Sequence, residues 1–272
     1  MSDKSPDARF PTVELMGLRI HALTEAQVIA HILDESDRGR GGWVITPNLD
    51  HLRRVVYDRS LLRLYARADL VVADGMVLVW ASRLAGTPLP QRVAGSDLIH
   101  SLTAAACRRN KSVYFLGGDP GTAAEAARIL AERNAGLRIA GHCCPAYGFE
   151  SRPAEVDEVM RSLAAADADI VYVALGSPKQ ERFIARVRDR LPRAWWLGVG
   201  ISFSFVCGKV SRAPRWMQQA GLEWLHRLSQ EPGRLARRYL IDGLPFAAYL
   251  MLWAAWRRWR AADNPAVRSS RT

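Results

Sequence analysis

DIVYVALGSPKQERFIARVRDRL, residues 169–191, contains one complete strand–turn–helix unit. Ile170 to Leu175 form an unbroken apolar run, which suits a strand covered on both faces. Gly176 ends the run, and Pro178 marks the start of a helix, where its missing N–H costs nothing. Phe183, Ile184, Val187 and Leu191 then recur at helical spacing with Arg and Asp between them. Glu181 falls in the first turn, the favourable end of the helix dipole.

The same rhythm extends outward. Further strands are expected at WVIT (43–46), LVVA (70–73), SVYFLG (112–117), LRIAG (137–141) and AWWLGVG (194–200). Amphipathic stretches such as LDHLRRVVYDRSLLRLYARA, SDLIHSLTAAACRRN, GTAAEAARILAERN and AEVDEVMRSLAAAD lie between them. Alternation of this kind implies an α/β fold, a mostly parallel sheet with helices on both faces. The 272 residues, 49% of them hydrophobic, suffice for one large core with an appendage. Residues 1–14 lack the apolar segment of a signal peptide and are expected to be a disordered leader. The core is expected over 15–210. Near Ser211 the stretch SRAPRW breaks the pattern and an appendage, 211–272, begins.

Ligands of open α/β sheets bind outside the carboxyl ends of the strands. Five short loops follow strands there: TPN (46–48), ADG (73–75), GGDPG (117–121), GSPKQE (176–181) and GVGISF (198–203). Together they predict one composite site. GGDPG reads either as a phosphate-binding turn or as a tight βα turn capped by Asp119 or Thr122. No GK[ST] follows it, and GxGxxG is absent, so neither a Walker A loop nor a dinucleotide fingerprint is present. Gln180 brings an amide to the rim, able to donate and accept toward a sugar. Asp74 reads either as part of an ordinary Asp-Gly turn and helix cap or as a rim carboxylate whose pKa an apolar cleft lifts until it serves as a base. The DAD at 167–169 precedes its strand, on the opposite rim, and reads as a solvated helix end. No metal site and no cofactor are expected. The six histidines lack ligand or triad spacing; His51, three residues after Asn48, reads either as a helix-surface residue, the favoured reading, or as one approaching the site. Cys107, Cys143, Cys144 and Cys207 form no CxxC pair, which fits a reducing cytosol.

Charge is concentrated in the tail. Residues 209–272 hold 12 Lys/Arg against four Asp/Glu, so this quarter carries +8 of the net +11. Gly243 to Trp256 is an uncharged run of 14 residues, shorter than the ~20 a span needs. Trp253, Trp256 and Trp259 recur every three residues, with Arg257, Arg258 and Arg260 interleaved. That pattern fits the interface of an anionic membrane, with a helix packed back on the core as the alternative, rather than nucleic acid.

Taken in order, the motifs GGWVITPNLDHL, ADLVVADGMVLVWASRLAGTPLPQRVAGSDL, VYFLGGDPGTAAEA, YGFE, VALGSPKQERFI, GVGISFSF and KVSRAPRWMQQAGLEWLHRLSQEPGRLARRYL resemble the WecG/TagA/CpsF glycosyltransferase family, from about residue 15 to 239. The resemblance implies a Rossmann-like core with a helical C-terminal appendage. It also implies inverting, metal-independent transfer from a UDP-sugar to a polyprenyl-diphosphate-linked saccharide, peripheral on the inner face of the cytoplasmic membrane. Products of the family include wall teichoic acid, enterobacterial common antigen and exopolysaccharide. Carried over by motif, Asp74 is the general base, and Thr46 and Asn48 position substrates. Arg92 contacts a phosphate or sugar, Gln180 lines the donor pocket, and Arg227, Arg234 and Arg237 grip a diphosphate. The break at Glu231-Pro232 frees these three from one straight helix. Where the family commonly has Phe-Asp-Phe, this chain has Phe203-Ser204-Phe205, leaving Ser204 to meet the ribose. The competing readings are a non-catalytic UDP-sugar-binding scaffold and a dinucleotide-dependent oxidoreductase. The donor sugar, the acceptor saccharide and the oligomeric state, homo-oligomer included, are left open.

Overall fold

The computed structural model describes residues 9–263. A hairpin of β1 (Thr12–Leu15) and β2 (Leu18–His21) comes first, turning at Met16-Gly17. The remaining strands are β3 (Gly42–Ile45), β4 (Leu70–Val71), β5 (Ser112–Gly117), β6 (Arg138–Cys143), β7 (Ile170–Ala174) and β8 (Trp195–Gly198). They form one six-stranded sheet in the order β4-β3-β8-β7-β5-β6, every pair parallel. The helices of the core are α1 (Glu25–Asp37), α2 (Leu49–Tyr57), α3 (Arg59–Tyr65), α4 (Met76–Leu84), α5 (Gly95–Arg108), α6 (Thr122–Arg133), α7 (Pro153–Ala166), α8 (Lys179–Val187) and α9 (Ser202–Val206). This is the α/β, Rossmann-like architecture that the alternating pattern implies.

Strand residues alternate strictly between two cores, as the two-residue period of a pleated sheet requires. Trp43, Ile45, Val71, Tyr114, Leu116, Val171, Val173 and Trp196 face α2, α3, α7 and α8. Val44, Leu70, Val113, Phe115, Ile170, Tyr172, Trp195 and Leu197 face α1, α5, α6 and α9. Burial of both faces explains why the strands read as continuous apolar runs.

The hairpin was missed in the sequence, and three of its residues, 12–14, fall within the expected leader. The period was legible: Val13, Leu15, Leu18 and Ile20 point inward while Glu14 and Arg19 point out. The hairpin protects an edge. Nδ1 of the buried His21 accepts the Val71 N–H of edge strand β4 at 3.0 Å, in place of a further strand. At the amino rim, Asp169 accepts the Ser112 N–H at 2.8 Å and Asp69 accepts the Trp43 N–H at 2.8 Å. Of the DAD residues, Asp167 pairs with Arg193 at the surface, as a solvated helix end would. Asp169 instead ties the start of β5 to that of β7.

Past Ser211 come α10 (Arg215–Gln219), α11 (Glu223–Gln230), α12 (Pro232–Ala236), a π turn over Arg237–Gly243, and α13 (Leu244–Ala262). From Pro232 to Ala262 the helix is continuous, and by length and composition alone it could cross a membrane. Yet Phe246, Leu250 and Ala254 are buried in the same core as Trp43 and Leu78, so its inner face is packed on the protein. The tryptophan stripe is therefore split. Trp253 packs against the core, whereas Leu252, Trp256 and Trp259 are exposed, at 71%, 48% and 62%.

Candidate active site

A cleft of about 410 Å³ opens over the carboxyl ends of β4, β3, β8 and β7, and the appendage roofs it. TPN, ADG, GSPKQE and GVGISF all line it. GGDPG does not, because β5 lies one strand further toward the other edge. That loop is a tight βα turn: the Thr122 hydroxyl donates to the Asp119 carbonyl at 2.7 Å, and Gly121 is the cap residue.

Asp74 stands on the turn between β4 and α4. Its N–H donates to the Pro47 carbonyl at 2.8 Å, which ties ADG to TPN and brings Thr46, Asn48 and Asp74 into one wall. Gly75 has φ 146°, a conformation that a side chain would strain, and it lets α4 begin at once. Arg92 is the charge centre beside Asp74. Its guanidinium lies 3.8 Å from Asp74 Oδ1, 2.6 Å from Asp97 Oδ2 and 2.9 Å from Glu223 Oε2. Arg212 also reaches Asp97, at 2.6 Å. Three carboxylates thus face two guanidiniums. Burial pushes the Asp74 carboxyl up to about 7 against the pull of Arg92, and Glu223 and Asp97 push the same way. Arg92, expected on a phosphate or sugar, is occupied chiefly in holding this acidic cluster. Asp97, Arg212 and Glu223 escaped the sequence reading, since they come from α5, the loop after residue 210 and α11.

Gln180, 5% exposed, lines the opposite wall. Its Oε1 accepts the Gly200 N–H at 3.2 Å and its Nε2 donates to Glu181 Oε1 at 2.9 Å. The amide therefore fixes the GVG turn. A Cβ at Gly198 would come within 2.5 Å of Gln180 Nε2, so glycine there permits this approach. Glu181, read from sequence as a dipole partner, is buried, and burial pushes its carboxyl up.

Ser204 does not line the cleft. On α9, Ser202 and Phe205 are three residues apart and face it, while Ser204 points elsewhere and its hydroxyl donates to Asp119 Oδ2 at 3.2 Å. Arg237 is also a correction. Arg227, Arg234 and Arg238 line the cleft, whereas Arg237 is exposed outside it. Arg238, four residues after Arg234, shares its face more closely than Arg237, three residues after it. Arg227, its side chain 12% exposed, lies 5.3 Å over the Phe205 ring and donates to Glu231 at 3.0 Å. Arg234 also pairs with Glu231, and Arg238 reaches Asp50 at 3.1 Å.

His51 takes the less favoured of its two readings. It lines the cleft, and Asn48 holds it: its Nδ1 lies 3.1 Å from the Asn48 backbone N and 2.8 Å from Asn48 Oδ1. Burial, with help from Arg238 and Arg54, pushes its pKa down to about 4 despite Asp50. Asn48 Oδ1 also accepts the N–H groups of Asp50 and His51, capping α2.

A half-buried carboxylate raised toward neutrality and faced across a cleft by guanidiniums is an arrangement suited to proton transfer beside an anion. The model of the Glycosyl transferase WecG/TagA/CpsF family matches residues 13–261, and the chain belongs to that family. It is a glycosyltransferase. Among its relatives is the N-acetylglucosaminyldiphosphoundecaprenol N-acetyl-beta-D-mannosaminyltransferase of Bacillus spizizenii, 34% identical over 201 residues, covering 74% of this chain and 76% of the relative.

Proposed function

We propose that this glycosyltransferase moves a sugar from a UDP-sugar to a polyprenyl-diphosphate-linked saccharide in cell-surface polysaccharide synthesis, with inversion and without a metal. Asp74 takes the proton of the acceptor hydroxyl. The acceptor oxygen bonds to the anomeric carbon as the bond to UDP breaks, and UDP leaves with the electron pair from the opposite face. Arg227, Arg234 and Arg238 meet the charge that develops on the diphosphate. The observation that carries this reading is the position of Asp74, at a strand end beneath an arginine-bearing roof. The name of the relative adds support for an undecaprenyl-diphosphate N-acetylglucosamine acceptor and an N-acetylmannosamine donor.

The test is a UDP-release screen across UDP-sugars with a synthetic prenyl-diphosphate N-acetylglucosamine, run with and without chelator. Release that survives chelation is expected. No release with any donor would leave only a binding scaffold, and release that depends on added manganese or magnesium would overturn the metal-free mechanism.

The base must be ionised, so kcat/KM should rise with pH through about 7. Glu223→Gln removes a negative neighbour and frees Arg92 toward Asp74, and both effects lower the carboxyl's pKa. The acid limb should then move down by roughly one unit. An unmoved limb would separate Glu223 from the base.

The outer face of α13 is proposed to lie on the anionic inner leaflet of the cytoplasmic membrane, with Trp256 and Trp259 at headgroup depth. Deleting 211–272 is a poor test, because it would bare the core around Phe246 and Leu250. Replacing both exposed tryptophans by Ser is cleaner. Co-sedimentation with phosphatidylglycerol vesicles should drop several-fold, at about 1 kcal/mol or more per ring. Undiminished binding would place the contact elsewhere.

A further inference from the structure

His51 stands in the cleft with one ring nitrogen engaged and one facing outward. Asn48 approaches Nδ1 twice: its backbone N–H donates to Nδ1 at 3.1 Å, as the reciprocal cap requires, and its side-chain oxygen lies 2.8 Å from the same nitrogen, a contact that is a hydrogen bond only in the other tautomer. Among the described residues Nε2 has no hydrogen-bond partner, and the ring lines the cleft. The charged groups around the ring are Asp50 on α2, Arg54 one turn further on, and Arg238 from the appendage roof. Asp50 is already claimed by both arginines, at 2.8 and 3.1 Å. The ring therefore stays neutral at physiological pH and neither competes with Asp74 as the base nor adds charge toward a phosphate.

We infer that His51 is a sugar-binding residue: its Nε2 hydrogen-bonds a hydroxyl of one of the two glycosyl groups in the cleft, and Asn48 is the positioning residue that aims it. A hydroxyl can both donate and accept, so it suits Nε2 in either neutral tautomer. A phosphate oxygen suits only the tautomer protonated on Nε2, and the titration with UDP below separates it from a sugar hydroxyl. This assignment changes the part of Asn48, whose side-chain oxygen is spent on the α2 cap and on His51 rather than on substrate.

The inference rests on the transfer reaction proposed above, and its test separates the two. His51→Gln is the discriminating variant. Gln at the third helical position can reach back to the Asn48 N–H and preserve the reciprocal cap, but its single amide cannot then also occupy the Nε2 position. The full-length protein is titrated with UDP and with UDP-N-acetylmannosamine, and assayed with prenyl-diphosphate N-acetylglucosamine. His51→Gln should melt as the wild type does and bind UDP within about twofold, while losing roughly 10-fold in sugar recognition. A loss in UDP-N-acetylmannosamine affinity assigns the hydroxyl to the donor, and a loss in acceptor KM assigns it to the acceptor. Equal losses for UDP and the UDP-sugar, or full activity in the variant, would overturn the inference and leave His51 a helix cap. A wild type that releases UDP beside an unaffected variant removes His51 alone. A wild type that never releases UDP removes the transfer reaction, and the sugar contact with it.

Discussion

Asp74→Asn should fold and bind substrates yet turn over roughly 100- to 10,000-fold more slowly, the usual worth of a general base. The amide keeps the shape of the carboxylate and leaves the backbone tie to Pro47 intact, but it cannot take a proton from an acceptor hydroxyl. The same variant should be more stable than the wild type at pH 8. In the folded chain the Asp74 carboxyl holds its proton up to about pH 7, against an ordinary value of 3.8. Between those values the unfolded chain has lost a proton that the native one retains, so this group's contribution to stability falls as pH rises, and it levels off above 7. The full span is worth up to about 4 kcal/mol. Thermal melts at pH 4 and pH 8 should therefore show the advantage of the Asn variant widening with pH. Lost turnover with a widening margin would separate a missing base from a damaged fold, whereas near-normal turnover would remove Asp74 from the role.

Arg227→Ala should cost roughly 100- to 1,000-fold in kcat, the range for removing one preorganised donor from developing negative charge. Its guanidinium is held before substrate arrives, stacked over Phe205 and tied to Glu231, so no ordering is left for the reacting complex. Lys should restore only part of the rate, because an ammonium lacks the planar fork and the stacking. Arg237→Ala is the control: exposed and outside the cleft, it should change kcat by less than about twofold, as surface substitutions do. Rates for Arg227→Ala close to wild type, or a large loss at Arg237, would mean that the appendage meets the diphosphate in another arrangement.

The architecture was legible because its strands are buried on both faces, and continuous runs such as IVYVAL stand out between amphipathic helices. Loops at strand ends led directly to Asp74, Thr46, Asn48 and Gln180, since the period of the sheet determines which loops share a rim. What failed to show depends on packing between distant segments. Arg92, Arg212, Asp97 and Glu223 form one cluster, but the appendage residues lie more than 100 positions from Arg92. No local pattern joins them. GGDPG was placed on the right rim but over the wrong strands, because strand order is not written in a single sequence. Arg237 and Arg238 differ by one position, and which of them faces the cleft depends on how the appendage packs over the core. Ser204 was misplaced, and His51 left between two readings, because each side chain's direction depends on its place within a helical turn. The hairpin is different: its alternation was visible and was hidden only by a polar beginning.

The most direct measurement is the titration of the Asp74 carboxyl itself. Aspartate labelled at the carboxyl carbon, followed by NMR in the full-length protein and assigned by the signal missing from Asp74→Asn, gives its midpoint. A midpoint near 7 is expected for a half-buried base beside Arg92, Asp97 and Glu223. A midpoint near 4 would mean a carboxylate too weakly basic for the part given to it, and the mechanism would have to be built on another group.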